Sequence, residues 1–266
     1  MQAVRDAYMA NQGIRRFLQW AGHQRPVLYL RTRYLTPNDA LLAAYPRSGS
    51  TWMRFLLYES LTGQSAEFDA VNTYKGRNAR PVLAGGGRVV GTHERYSHGD
   101  RKVIYLARDP RSIVISEFKL ERRQGSQRSF DEFFDAFLNG NSNPFGSWSD
   151  HVQFWMTSLP ARRGHLHLVK FEELRSNPEQ TLAQVTDFLG VSVDSTKIET
   201  VVRNNAVDRM RAKEDVAPKD TFTRARSHEI RFVNEGATQS WQEQLSPPQA
   251  DLLLERTQTS RELLGY

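Results

Sequence analysis

The chain has no cysteine. Disulfides, thiolate metal sites and cysteine nucleophiles are excluded together, and the absence is compatible with a reducing cytoplasm. It also lacks any apolar run near the roughly 20 residues that span a bilayer, so stable membrane insertion is not expected. No internal repeat or low-complexity block is present, and no basic–aromatic patch of the kind that grips nucleic acid. The first residues, MQAVRDAYMANQGIRRFLQW, carry scattered charges and no unbroken apolar core, unlike a signal peptide. They are expected to belong to a helical extension, residues 1–38, that packs on the rest of the chain.

What is present suits a packed globular protein: 39% apolar, 11% aromatic and 25% charged residues. The 266 residues suffice for one large domain with its own core. Lys and Arg number 36 against 30 Asp and Glu, a net charge of +6. That excess favours an anionic ligand without identifying one.

Four short, turn-bounded apolar runs read as buried strands: ALLAAY, RVVGTH, KVIYLA and HLHLVK. Helical patterns lie between and after them: STWMRFLLYESL, PRSIVISEFKLERR, SFDEFFDAFLNG, WSDHVQFWMTSL and NPEQTLAQVTDFLG. The last has Asn177-Pro178 in front and Gly190 behind, the start and stop signals of a helix. The alternation predicts an α/β fold, a P-loop-type open parallel β-sheet flanked by helices, as a single domain over 1–266. Further helices are expected near 195–204 and 246–263. The charged stretch between them is expected to form a cofactor-covering loop over 212–240.

Ligands of such a sheet sit at the carboxyl ends of its strands. ALLAAY is followed by Pro46-Arg47-Ser48-Gly49 and then by a helix pattern. The turn therefore aims backbone N–H groups and a positive helix end at an anion. Gly49 permits close backbone approach, and Ser48, Ser50 and Thr51 offer hydroxyls. The nucleoside-triphosphate loop, GxxxxGK(S/T), is not reproduced. Ala44 stands at its first glycine, Ser50 stands at its lysine, and the cation is displaced to Arg47. No lysine is placed to bridge β- and γ-phosphates, which argues against an ATPase or kinase.

A second strand, KVIYLA, runs into Arg108, and Ser116 follows eight residues later. That is roughly two helical turns, so the pair can converge on one phosphate, with the planar guanidinium making two hydrogen bonds to it. Between the two motifs lies RVVGTHERYSH, where His93 directly follows a strand. Histidine can accept a proton near neutral pH.

YPRSGSTW closely resembles the YPKSGTTW signature of cytosolic-type sulfotransferases, which use 3'-phosphoadenosine 5'-phosphosulfate (PAPS). VIYLARDPRSIVISEF resembles the family's 3'-phosphate motif, with its Arg and Ser at the same spacing, and GTH occupies the place of its KTH. FEELRSNPEQTLAQVTDFLGV and AVDRMRAKE resemble two further family stretches, and GSWSDHV looks like bacterial members. The resemblance implies that Ser48, Gly49, Ser50 and Thr51 hold the 5'-phosphosulfate and that Arg47 lies near the bridging oxygen. It implies that Trp52 and Phe171 contact the adenine and that Arg108 and Ser116 hold the 3'-phosphate. His93 becomes the base in transfer of a sulfuryl group to a hydroxyl or amine, with no metal required. The implied acceptor is a small molecule, natural product or carbohydrate, and the implied compartment cytoplasmic.

The chain departs from the family pattern at several places. Gly91 replaces the lysine before the histidine, Phe171 replaces a tyrosine, and Ala206 and Val207 replace Ser and Phe. The family's RKGxxGxW aligns with Asn234-Glu235-Gly236 through Trp241, so its two cations are missing. Arg231, Arg224 and Arg226 are the candidate replacements, and Arg231, Glu235 and Gly236 are counted with the cofactor site. Acceptor specificity is expected from 64–87, 121–148 and 212–240. Two other readings stand beside this one: a P-loop small-molecule kinase and a non-catalytic binder of 3'-phosphoadenosine phosphates.

Overall fold

All four apolar runs pair into one parallel sheet. A computed structural model describes residues 34–71, 79–95, 99–217, 231, 233 and 241–266. The strands are β1 (Ala40–Ala44), β2 (Val89–Thr92), β3 (Val103–Ala107) and β4 (Leu166–Lys170), in the order β2-β1-β3-β4. Every neighbouring pair is parallel. From β1 the chain passes to β2 on one side and then to β3 on the other. The connections leaving β1 and β3 therefore diverge and open a crevice at the carboxyl edge.

Between the strands run α1 (Ser50–Thr62), α2 (Phe68–Val71), α3 (Pro110–Arg123), α4 (Phe130–Leu138), α5 (Trp148–Met156) and α6 (Leu159–Arg162). After β4 come α7 (Phe171–Ser176), α8 (Pro178–Leu189), α9 (Ser195–Asn204), α10 (Val207–Val216) and α11 (Pro247–Leu264). Start and stop chemistry fixes these helices. Asp109 caps α3 by accepting from the Arg111 N–H at 2.8 Å, with Pro110 at the first position. Gly190 ends α8 in the left-handed conformation.

The central strands are apolar throughout because both faces are covered. Ala40, Leu42, Ala44, Ile104 and Leu106 pack with α1, α8 and α9 through Met53, Leu56, Leu182, Val185 and Ile198. The alternate residues Leu41, Ala43, Val103 and Tyr105 pack with α3, α4, α5 and α11 through Val114, Phe133, Trp155 and Leu253.

Two boundaries need correction. Residues 212–216 are not loop, because α10 runs through them to Val216. Helix-forming Arg, Lys, Glu and Ala carry α10 beyond the sparse apolar spacing, and Met210 and Glu214 give it a buried side. Most of 218–240 lies outside the described residues, as does 1–33 of the expected helical extension, and 34–38 form turns rather than helix. Among the described residues no helix is long and apolar enough to cross a membrane.

Candidate functional site

The loop after β1 is built around two left-handed residues. Gly49, at φ 94°, ends the turn and starts α1 without any side-chain cap. The first-turn N–H groups of α1 are therefore left to a ligand or solvent. A Cβ at Gly49 would lie 2.5 Å from Cδ2 of Phe171, so only glycine lets that ring close over the loop. Arg47 has φ 68° and is the one positive-φ residue other than glycine among the described residues. Such a conformation costs on the order of 1–3 kcal/mol, and here it directs the guanidinium toward α3. Ser48 Oγ is buried and has no hydrogen-bond partner among the described residues. An orphaned hydroxyl costs about 1–3 kcal/mol unless a bound group satisfies it. Thr51 Oγ1 accepts from Arg54 Nη2 at 2.9 Å, and the Ser50 carbonyl accepts from Arg54 Nε at 3.2 Å. Burial lowers the Arg54 pKa to about 10.

The second motif meets the first directly. Arg47 Nε donates to Ser116 Oγ at 2.9 Å, and Arg108 Nη1 donates to the Arg47 carbonyl at 3.1 Å. The Arg108 guanidinium lies 4.3 Å over the Phe171 ring, a cation–π contact. Phe171 in turn meets Trp52 edge-on, with centroids 6.3 Å apart. Trp52 Nε1 donates to the Asn205 carbonyl at 2.9 Å, and Asn205 Nδ2 donates to Glu59 Oε2 at 2.8 Å. Arg47, Ser48, Gly49, Trp52, Arg108, Ser116 and Phe171 therefore form one contiguous group, with Ser50 and Thr51 beginning α1 beside it.

Burial is the largest influence on Arg47 and lowers its pKa to about 10. The cations Arg108 and Arg123 act in the same direction, and the carboxylates Glu117 and Glu214 oppose them. Burial also lowers the Arg108 pKa, against the carboxylates Glu172 and Asp109. Clustered cations in a partly dry crevice favour a bound anion.

His93 reaches the same edge through strand register. Thr92 pairs with Ala43, which sets the next residue beside Ala44. His93 Nδ1 lies 2.7 Å from the Ala44 carbonyl oxygen. A carbonyl only accepts, so this contact assigns the proton to Nδ1 and makes Nε2 the basic nitrogen of the neutral ring. The ring of Phe145 meets the imidazole edge-on at 5.4 Å. A second histidine, His151, is fully buried behind it, its Nδ1 3.1 Å from the Tyr105 hydroxyl. Burial drives the His151 pKa down to about 3, so this ring stays neutral.

Glu235, Gly236, His98, Arg224 and Arg226 lie outside the described residues. Arg231 is exposed and ion-paired with Asp215 of α10 at 3.1 Å. Four neighbours of the site escaped the sequence reading. Arg54 lies three residues after Thr51 on one helix face, a detectable signal. Glu172 accepts from the Asp109 N–H at 3.1 Å and from the Tyr266 hydroxyl at 2.7 Å, and so braces the turn beside Arg108. Glu117 and Asn143 belong to a long-range network that no local pattern announces. Among the described residues no group of three His, Asp or Glu side chains is placed to hold a metal ion.

This geometry can be set beside known proteins. Sulfotransferase 4A1 of Mus musculus is 29% identical over 191 residues, covering 63% of this chain and 65% of that protein. The match thus spans a little under two thirds of that relative's length. Sulfotransferase 1 family member D1 of Mus musculus is 22% identical over 265 residues, with 90% and 87% covered. A structure of retinol dehydratase in complex with androsterone and inactive cofactor PAP superposes with a TM-score of 0.67 at 17% identity, covering 88% of this chain and 83% of that one. Mouse sulfotransferase SULT7A1 complexed with PAP gives 0.65 at 20% identity, covering 87% and 90%. At such identities the structures speak for the fold. Residues 37–264 match the sulfotransferase domain family, and on that match the chain belongs to it.

Proposed function

We propose that the protein is a PAPS-dependent sulfotransferase acting on a hydroxyl or amine of a small organic or carbohydrate acceptor. The observation that carries this reading is the hydrogen-bonded path Arg108–Arg47–Ser116, which joins two anion-binding motifs beside His93 at one sheet edge. A nucleotide with phosphates at both its 3' and 5' positions fits two such motifs. When bound, the donor supplies an activated sulfuryl group whose bond to phosphate breaks as one to the acceptor forms.

The chain's own residues hold and orient that exchange. The orphaned Ser48 hydroxyl, the uncapped start of α1, and Ser50 and Thr51 suit the 5' end. Arg108 and Ser116 suit the 3'-phosphate, and Trp52 and Phe171 offer aromatic edges to the adenine. His93 Nε2 takes the acceptor proton. Arg47 balances the charge that develops on the leaving phosphate, and with Gly91 in place of a lysine it carries more of that task. Arg231 and the stretch from Glu235 to Gly236 complete the nucleotide cover in this reading. Neighbours crystallised with androsterone or retinol beside PAP favour a small organic acceptor. The cytosolic-type motifs favour a cytoplasmic protein.

The test is a PAPS-dependent screen of phenols, alcohols, amines and sugars that reads release of adenosine 3',5'-bisphosphate. Acceptor-dependent release supports the reading. Equal affinity for adenosine 3',5'-bisphosphate and AMP in calorimetry would defeat it.

A further inference from the structure

We propose that Glu117 and Asn143 are positioning residues that hold the turn 142–146 against His93 and tie it to the phosphate loop. The turn reads Ser142-Asn143-Pro144-Phe145-Gly146, lies within 121–148 and runs into the GSWSDHV stretch that begins at Gly146. Asn143 shapes it from inside, its Oδ1 accepting from the Phe145 N–H at 2.8 Å. The two hydrogens of its amide serve two distant partners, Glu117 Oε1 at 2.8 Å and the Tyr45 hydroxyl at 2.7 Å. Ser142 Oγ donates to the same Glu117 oxygen at 2.9 Å, and the Tyr45 hydroxyl donates to the Gly146 carbonyl at 3.1 Å. The turn is thus held at 142, 143 and 146, and Phe145, between these anchors, meets the His93 ring. Gly146, at φ 84°, fits closely against Arg95, since a Cβ there would lie 2.9 Å from Nη2.

The two anchors are placed where the donor site begins. Tyr45 directly precedes Pro46 and Arg47. Glu117 directly follows Ser116, whose hydroxyl accepts from Arg47. One network therefore touches the phosphate loop, the 3'-phosphate helix and the neighbour of the base.

Glu117 is only 5% exposed, and its Oε2 has no hydrogen-bond partner among the described residues. A carboxyl buried in this way is costly unless it is hydrogen-bonded, and its Oε1 accepts from Ser142 and Asn143 of the turn. The groups that act on it are Asn143 and Ser142 of the turn, Arg47 of the loop and Glu121 of its own helix, with Tyr45 beside it. Burial is the largest influence and, with Glu121 acting in the same direction, outweighs Asn143, Ser142 and Arg47 and raises its pKa to about 7.

The functional meaning of the placement rests on His93 being the base. The placement itself is read directly from the imidazole resonances of His93 in NMR spectra of the full chain, assigned by their loss in His93→Ala. Phe145→Leu calibrates the shift caused by losing the aromatic neighbour. Asn143→Ala and Glu117→Leu are expected to move the resonances in the same direction. Glu117→Gln keeps an acceptor oxygen for Ser142 and Asn143 and is expected to stay near the wild-type position.

Asn143→Asp changes almost no volume and guards against misfolding of the other variants. At pH 8 two carboxylates face each other and the turn is pushed away. At pH 6 the pair shares a proton and the resonances return toward those of wild type at the same pH. Resonances at the wild-type position in Asn143→Ala and Glu117→Leu, or an Asn143→Asp spectrum with no such pH-dependent return, would overturn the proposal. If His93→Ala retains sulfuryl transfer, the reading of His93 as base fails instead, and the spectra still decide the placement.

Discussion

The loop after β1 and the surroundings of His93 lie at one sheet edge but are made differently. The loop is local. Arg47, Ser48, Gly49, Ser50, Thr51 and Trp52 are consecutive, and their shape follows from one strand end, one glycine and one helix start. The surroundings of the histidine are assembled from afar. The Ala44 carbonyl fixes its tautomer from 49 residues away in sequence, and Phe145 comes from a turn held by Glu117 and Tyr45. A contiguous motif can be read before folding, whereas a site gathered by register and side-chain bonds exists only afterwards.

The largest expected effect falls on the assembled region. His93→Ala should lower sulfuryl transfer by about 10²–10⁴-fold, the usual worth of a general base, with nucleotide affinity barely changed. Single-turnover transfer with calorimetry alongside checks this, and near-normal transfer would remove His93 from the mechanism. On the donor side, Arg108→Ala should weaken adenosine 3',5'-bisphosphate by about 1.5–3 kcal/mol, the worth of a charged hydrogen bond. It should also erase most of the preference over AMP, and an unchanged preference would place the 3'-phosphate elsewhere.

Gly49→Ala tests how far the local loop depends on a distant partner. Its Cβ would strike Phe171, and its backbone would be strained by on the order of 1–3 kcal/mol. Nucleotide affinity should fall about 5- to 150-fold, the equivalent of that energy. If Gly49→Ala costs much less affinity when introduced into Phe171→Ala than into the natural sequence, the clash is the cause. An equal cost in both backgrounds leaves the backbone strain.

A smaller effect concerns pH. Burial raises the Glu117 carboxyl from its ordinary 4.5 to about 7 in the folded chain. Between those values the unfolded chain has already released the proton that the folded chain keeps. Stability therefore falls as pH rises from about 4.5 to 7 and levels off above that. Glu117→Gln should remove a decline on the order of 3 kcal/mol across that window, read from urea unfolding at several pH values. Identical pH slopes in both proteins would show that the carboxyl is not desolvated as its burial implies. The smallest expected effect is that of chelation. Excess EDTA should leave transfer unchanged, and a loss restored by magnesium would favour a P-loop kinase.

The sequence by itself determined the four strands, most of the helices and the positions of the two motifs read as phosphate-binding. Apolar runs bounded by turns need no partner to be recognised, and Pro110 and Gly190 mark helix ends by their own backbone preferences. It also placed His93 at a strand end. It did not reveal that α10 continues through 212–216, because Arg123 on α3 lies 3.5 Å from Glu214 and helps bury a helix whose apolar spacing is sparse. Only the tertiary structure decided that Arg47 reaches Ser116, that Phe171 closes over Gly49, and that Glu117, Asn143 and Tyr45 surround the turn beside His93. Those contacts join residues dozens of positions apart. They depend on which strands pair and in what register, and on which side chains the crevice leaves with no better partner.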